Sequence, residues 1–265
     1  MCHTALPDPW QVHLRDGGGD PTRTLRPVDA TRTPSQQEPT RIAGTDAEAA
    51  ASQQAADDHA IDDQDFDILA LLGRGGMGEV LLARQRSLDR EVAIKTASDP
   101  RRHPHLIPAL RYEAQVTGAL DHPHVVPVHD AGDGYFVMRR VRGHALIDLL
   151  ERDTELGHLV EILIKVAAAL AYAHHRGVIH RDIKPDNIMV GQHGEVLLVD
   201  WGLAARLRSD GRADLPRRAA ACGTPSYLAP EMALAEPDRI GPATDVYLLG
   251  ATLYRILTGQ PPHDA

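Results

Sequence analysis

Asp182 and Asn187 stand five residues apart in the run His180-Arg181-Asp182-Ile183-Lys184-Pro185-Asp186-Asn187. That spacing offers a carboxylate to orient a hydroxyl group and accept its proton, and a carboxamide oxygen to hold a metal ion. Lys184 follows Asp182 by two residues, and its ammonium suits charge neutralisation on a transferred phosphoryl group. These are the requirements of phosphoryl transfer. One short motif can arise by chance, so the reading depends on further motifs found in order along the chain.

The first is Gly73-Arg74-Gly75-Gly76-Met77-Gly78-Glu79-Val80, which fits G-x-G-x-x-G-x-V. Glycines let the backbone approach phosphates closely and donate N–H groups to them. A lone G-x-G-x-x-G also fits a dinucleotide-binding turn, but there a helix should follow. Here Leu81-Leu82-Ala83 continues as strand, and Val92-Ala93-Ile94-Lys95 arrives at hairpin distance. Lys95 ends an apolar quartet and is expected to project from a buried strand toward phosphates. Its expected partner is Glu113, on a helix that faces the strand. Asp200-Trp201-Gly202 follows the apolar run Val196–Val199 and supplies a second metal-binding side chain.

With Gly223-Thr224-Pro225-Ser226-Tyr227-Leu228-Ala229-Pro230-Glu231 added, the chain from about residue 66 resembles a protein kinase catalytic domain of the bacterial Ser/Thr type, the Hanks-type or Pkn-like family. The resemblance implies ATP in a cleft between two lobes, Mg²⁺ (or Mn²⁺), and protein substrates phosphorylated on Ser or Thr. It also implies autophosphorylation, with a homodimer as one route to it. In the implied site the catalytic residues are Asp182, Lys184, Lys95 and Glu113, and Asn187 and Asp200 hold the metal. Gly73, Arg74, Gly75, Gly76, Met77 and Gly78 cover the phosphates. Val80 and Ala93 cap the adenine from above and Met189 from below. Met138 sits as gatekeeper beside a hinge at Arg139-Arg140-Val141. Thr224 would bond Asp182 and Lys184 and favour Ser/Thr over Tyr acceptors. Asp245 would bond the backbone of the catalytic loop.

The elements that must position these residues read as α+β, a two-lobed protein kinase-like fold. Short strands are expected over Ile68–Val80, Leu81–Arg84, Glu91–Lys95, Val125–Val128 and Tyr135–Met138, with a helix over about 107–120. A mostly helical remainder carries an apolar face at Leu159, Ile162, Leu163, Val166 and Leu170, with short strands at Val178–Ile179, Asn187–Val190 and Val196–Val199. Residues 65–265 are expected to form the kinase domain, with an N-lobe over 65–140 and a C-lobe over 141–265. Residues 1–64 are rich in Pro, Thr, Gln, Ala, Asp and Gly, and too poor in large apolar residues to offset the entropy of ordering them. They are expected to be a disordered tail.

The chain has 265 residues, 43% of them hydrophobic, and a net charge of −9. That balance disfavours nucleic acid and anionic membranes as partners. Cys2 and Cys222 make no disulfide framework, and neither a secretory signal nor a run of apolar residues long enough for a membrane span is read, so a cytoplasmic location is expected. His103, His105, His122, His124 and His129 show no spacing of a closed zinc site.

Three departures from the family pattern stand out. Between Asp200 and Gly223 the only hydroxyl side chain is Ser209, where the family places its activating phosphate. Asp210 or Asp214 is therefore expected to stand in for that phosphate beside Arg181, and replacing both by Asn to lower kcat. Trp201 replaces the usual Phe and is expected to repack against His180. Finally, a helix over Val246–Leu257, apolar on nearly every face, is expected to be buried all round. The helices that cover it in the family do not follow, so the C-lobe is read as incomplete and the chain as a fragment. A pseudokinase or regulatory binding module is the alternative reading, and a small-molecule phosphotransferase a third. Intact Lys95, Asp182, Asn187 and Asp200 weigh against the former, and Lys184, Thr224 and Ala229-Pro230-Glu231 against the latter.

Overall fold

The computed structural model describes residues 65–75, 78–97, 106–152 and 154–263. The tail over 1–64 lies outside the described residues, as do Gly76 and Met77.

Five antiparallel strands build the smaller lobe: β1 (Phe66–Gly75), β2 (Gly78–Gln85), β3 (Arg90–Thr96), β4 (Val128–Gly132) and β5 (Tyr135–Arg139), in the order β1-β2-β3-β5-β4. Period-2 alternation sorts the side chains of β3. Val92 and Ile94 are buried with Leu81, Ala83, Phe66 and Val137 on one face. Ala93 and Lys95 point to the other face and line the interlobe cleft. Among the described residues one helix belongs to this lobe: α1 (Leu106–Gly118) buries Leu110 and Ala114 against Phe136, which brings Glu113 over the same face.

The expected strand over Val125–Val128 begins only at Val128. Pro127 has no N–H to give to a ladder. Its carbonyl instead accepts the N–H of Arg139, at 2.9 Å, and Val125 makes an isolated bridge to Leu198.

After β6 (Gly143–Ala145) and the short α2 (Leu146–Leu150), the larger lobe is organised by α3 (Leu156–His175). Its apolar stripe at Leu159, Ile162, Leu163, Val166 and Leu170 is buried in the main core. In length and composition α3 meets the requirement of a membrane span, which corrects the expectation that no segment comes close. Here its buried stripe serves the core of the lobe. Strand β7 (Val178–Ile179) pairs with β10 (Ala205–Arg206), and β8 (Ile188–Gly191) lies between β6 and β9 (Val196–Leu198). Short helices α4 (Arg217–Ala220) and α5 (Pro230–Ala233) precede α6 (Pro242–Thr258). The region from 200 to 241 is mainly irregular rather than helical, since its Gly, Pro and Arg content gives no apolar period.

Helix α6 is not buried all round. Leu248, Ala251 and Thr252 are inside, whereas Val246 is 64% exposed, Tyr254 48% and Leu257 60%. Among the described residues nothing covers that face.

Candidate active site

Lys95 reaches from β3 into the cleft and is clamped on two sides. Its Nζ donates to Glu113 Oε1 at 2.7 Å and Oε2 at 2.9 Å, and to Asp200 Oδ1 at 2.8 Å. Lys95 and Glu113 are both buried. Burial alone would pull the lysine down, but the Glu113 and Asp200 carboxylates more than offset it and hold the ammonium above its ordinary value. Burial raises Glu113 above the usual carboxylate range: Lys95 opposes this, while the neighbouring Asp200 charge adds to it. Burial also works against ionisation of Asp200, yet the Lys95 charge outweighs it and leaves that carboxyl below its ordinary value. Asp200 and Lys95 therefore both remain charged at neutral pH. The Asp200 side chain is 45% exposed and opens onto the cleft.

A second cluster gathers around Asp182. Thr224 Oγ1 donates to Asp182 Oδ1 at 2.8 Å, and Lys184 Nζ donates to Thr224 Oγ1 at 2.6 Å. Lys184 Nζ also lies 3.1 Å from Asp182 Oδ2. Asn187 Nδ2 donates to Asp182 Oδ2 at 2.9 Å and to the Asp182 carbonyl at 2.7 Å. Both donations use the amide nitrogen, so Oδ1 is the ligand atom that Asn187 keeps.

The loop carrying Asp182 is held from beneath by Asp245 on α6. This carboxylate is fully buried and accepts the backbone N–H groups of His180 and Arg181, each at 2.8 Å. Its Oδ2 also lies 2.7 Å from His174 Nε2. Arg181 sits at φ 72° and Asp200 at φ 61°, left-handed conformations that are strained for non-glycine residues and persist only where surroundings enforce them. Asp182 N–H donates to His180 Nδ1 at 3.2 Å, which assigns the proton to Nε2, 3.1 Å from the Val199 carbonyl. Trp201 is fully buried and packs against His180 with ring centroids 4.6 Å apart and the ring planes tilted by 58°, the contact expected of the Trp that replaces Phe.

The cleft encloses about 740 Å³. Lined by Gly73, Arg74, Gly75, Gly78, Val80 and Ala93 above and Met189 below, it brings Lys95, Glu113, Asp182, Lys184, Asn187 and Asp200 together. Met138 and Val141 lie along its wall. Gly78 shows why a side chain is excluded at one point of the loop: at φ +152°, an added Cβ would fall 1.9 Å from the Thr96 carbonyl oxygen. Phe136, Thr117 and Val126 also line the cleft, and sequence reasoning did not find them. Phe136 was findable, because β5 alternates and pairs Phe136 with Lys95 and Met138 with Ala93. Thr117 lies one helical turn beyond Glu113. Val126 carries no signal of its own.

The expectation for Arg181 is corrected. Its buried guanidinium meets no carboxylate from Asp210 or Asp214. It donates to the carbonyls of Leu203, at 3.1 Å, and of Ala219 and Ala220, so backbone oxygens of the 200–223 segment hold it. Asp210 instead accepts the Arg212 N–H at 3.0 Å and lies 3.5 Å from the Arg208 side chain. Replacing Asp210 and Asp214 together by Asn is now expected to leave kcat unchanged in a steady-state assay, rather than to lower it.

A strand-rich lobe, a helical lobe, and a cleft that gathers Lys95, Glu113, Asp182, Asn187 and Asp200 are the marks of a protein kinase domain. The chain matches the protein kinase domain family over residues 66–265, and it belongs to that family. Members of the family use ATP and a divalent metal ion. The chain is similar to Serine/threonine-protein kinase PknB of Mycolicibacterium smegmatis, at 39% identity, with 74% of this chain and 33% of the relative covered. It is also similar to Serine/threonine-protein kinase PknD of Protochlamydia amoebophila, at 36% identity with 74% and 23% covered. A probable serine/threonine-protein kinase of Streptomyces coelicolor is 38% identical, with 74% and 30% covered. The chain thus spans a third or less of the length of these curated relatives.

Proposed function

We propose that this chain is an ATP-dependent protein kinase that transfers the γ-phosphoryl group to Ser or Thr hydroxyls of protein substrates, itself included. The observation that carries the reading is the network around Asp182, whose carboxylate lies 2.8 Å from Thr224, 2.9 Å from Asn187 and 3.1 Å from Lys184, in the same cleft as Lys95 and Asp200. The relatives' names support the Ser/Thr assignment.

The donor set suits a hard cation. Asp200 offers carboxylate oxygen and Asn187 carboxamide oxygen, the ligand types of Mg²⁺ or Mn²⁺. When bound, the ion supplies charge neutralisation at the phosphate oxygens. Lys95, held by Glu113, contacts the α- and β-phosphates, and the backbone of Gly73, Arg74, Gly75 and Gly78 covers them. Val80, Ala93 and Met189 enclose the adenine, with Met138 behind it and Val141 at the hinge. Asp182 orients the acceptor hydroxyl and takes its proton as the oxygen bonds to the γ-phosphorus. The bond from that phosphorus to the bridging oxygen breaks, and ADP leaves. Lys184 offsets charge on the phosphoryl group in flight. Thr224 bridges Lys184 and Asp182, narrowing the acceptor position to a short side chain such as Ser or Thr.

Calorimetric titration with ATP tests the nucleotide part of this reading. Binding is expected with Mg²⁺ present, and Lys95→Met is expected to weaken it about tenfold or more, by loss of a charge-assisted phosphate contact. No binding by the folded wild-type chain contradicts the reading.

A further inference from the structure

Behind the segment 139–142 lies a second cavity, of about 710 Å³, that the phosphoryl-transfer machinery does not use. Arg84, Arg90, Arg139, Arg140 and Arg142 line it together with His129. Only two carboxylates, Asp89 and Glu91, share the lining, which leaves a formal surplus of three positive charges. The pairing is uneven. Arg140 and Arg142 both donate to one oxygen of Glu91, the latter at 2.6 Å. Arg90 spends its Nε on the neutral Gln85 amide oxygen, at 2.9 Å. Arg139 lies 3.7 Å from Glu195, too far for a hydrogen bond, and Arg84 pairs with Asp89 at the exposed rim. His129 feels the surplus: partial burial first, then the Arg90 and Arg139 charges, hold it below its ordinary value. Guanidinium forks match the geometry of phosphate oxygens, and several converging on one concavity define a site for more than one such group.

The walls of this cavity are shared with the cleft. Arg139 lines both, and Val141 lines the cleft between Arg140 and Arg142, which line the cavity. On β3, Glu91 faces the cavity and Ala93 the cleft. From this we infer that the cavity is a second binding site, for an anion carrying several phosphate groups. Such an anion competes with Glu91 for Arg140 and Arg142 and so acts on the cleft through the segment 139–142. The action on nucleotide binding rests on the function proposed above; the site itself does not.

The test titrates the folded chain with inorganic tripolyphosphate by calorimetry, at two salt concentrations. Lys95→Met is expected to retain binding, because the anion does not occupy the cleft. The double substitution Arg84→Gln and Arg142→Gln is expected to weaken it about tenfold. Glu91→Gln removes the competing carboxylate and is expected to tighten it. Absence of wild-type binding at moderate salt overturns the site. So does binding that Lys95→Met abolishes and the arginine substitutions leave alone. The same titration repeated with an ATP analogue reads the coupling as a shift in nucleotide affinity. If the analogue fails to bind even without tripolyphosphate, the kinase reading fails, while the tripolyphosphate titration still decides the site.

Discussion

Asp245→Ala is expected to destabilise the chain by roughly 3–5 kcal/mol, read as a shift in the urea unfolding midpoint at constant slope. The carboxylate is fully buried and is the acceptor for two backbone N–H groups, those of His180 and Arg181. Alanine leaves both donors in the interior without a partner, at about 1–3 kcal/mol each. It also releases the left-handed turn at Arg181, φ 72°, which the two hydrogen bonds enforce. Asp182 follows directly, so the loop should lose its geometry along with its stability. Asp245→Asn keeps one acceptor oxygen and is expected to show about half of the loss. A shift below about 1 kcal/mol for the alanine variant would show that solvent or a neighbouring group replaces the carboxylate, contrary to its burial.

Asp182→Asn is expected to lower kcat by about 10²–10⁴, the range that general-base catalysis contributes, while nucleotide affinity stays within a few-fold. The amide is nearly isosteric and still accepts the Thr224 hydroxyl through its oxygen, so the link from Thr224 to Lys184 persists, while its –NH2 no longer accepts from Asn187 Nδ2 as Asp182 Oδ2 does. What it lacks is a charge to orient the acceptor hydroxyl and a lone pair basic enough to take the proton. Lys95, Glu113 and Asp200 form a separate ion cluster, and none of them hydrogen-bonds residue 182. The effect should therefore fall on turnover and not on KM for ATP. A variant that loses nucleotide affinity in proportion to kcat would place residue 182 in the binding of ATP instead.

Much of the site was legible because its residues sit on elements with a clear period. In Val92-Ala93-Ile94-Lys95, alternation alone sends Val92 and Ile94 to the core and Ala93 and Lys95 to the cleft. Glu113 was found because a helix facing that strand had to supply a carboxylate, and the two side chains meet at 2.7 Å. The lobes were legible for the same reason, since α3 carries its apolar stripe where the 3.6-residue period placed it. What could not be read depends on contacts that carry no side-chain signature. Arg181 is held by carbonyls of Leu203, Ala219 and Ala220, and any residue supplies a carbonyl, so the sequence pointed to the aspartates instead. The misplaced start of β4 came from an apolar run whose Pro127 denies it a ladder hydrogen bond. Phe136 was missed for a different reason: the alternation of β5 puts it on the face of Met138, and pairing β5 with β3 would have carried it to the cleft. The exposure of Val246, Tyr254 and Leu257 is likewise a matter of what packs on α6, which composition alone cannot supply.

The central claim is that the Asp182 cluster and the Lys95 cluster together move a phosphoryl group to a Ser or Thr hydroxyl. The measurement is transfer of label from γ-labelled ATP, with Mg²⁺, to the chain itself and to a generic basic protein, wild type beside Asp182→Asn, followed by phosphoamino-acid analysis. Label on Ser or Thr in the wild type, reduced at least a hundredfold in the variant, is the predicted result. A folded wild-type chain that binds ATP and transfers no label, or transfers it equally well with Asn at position 182, would contradict the account.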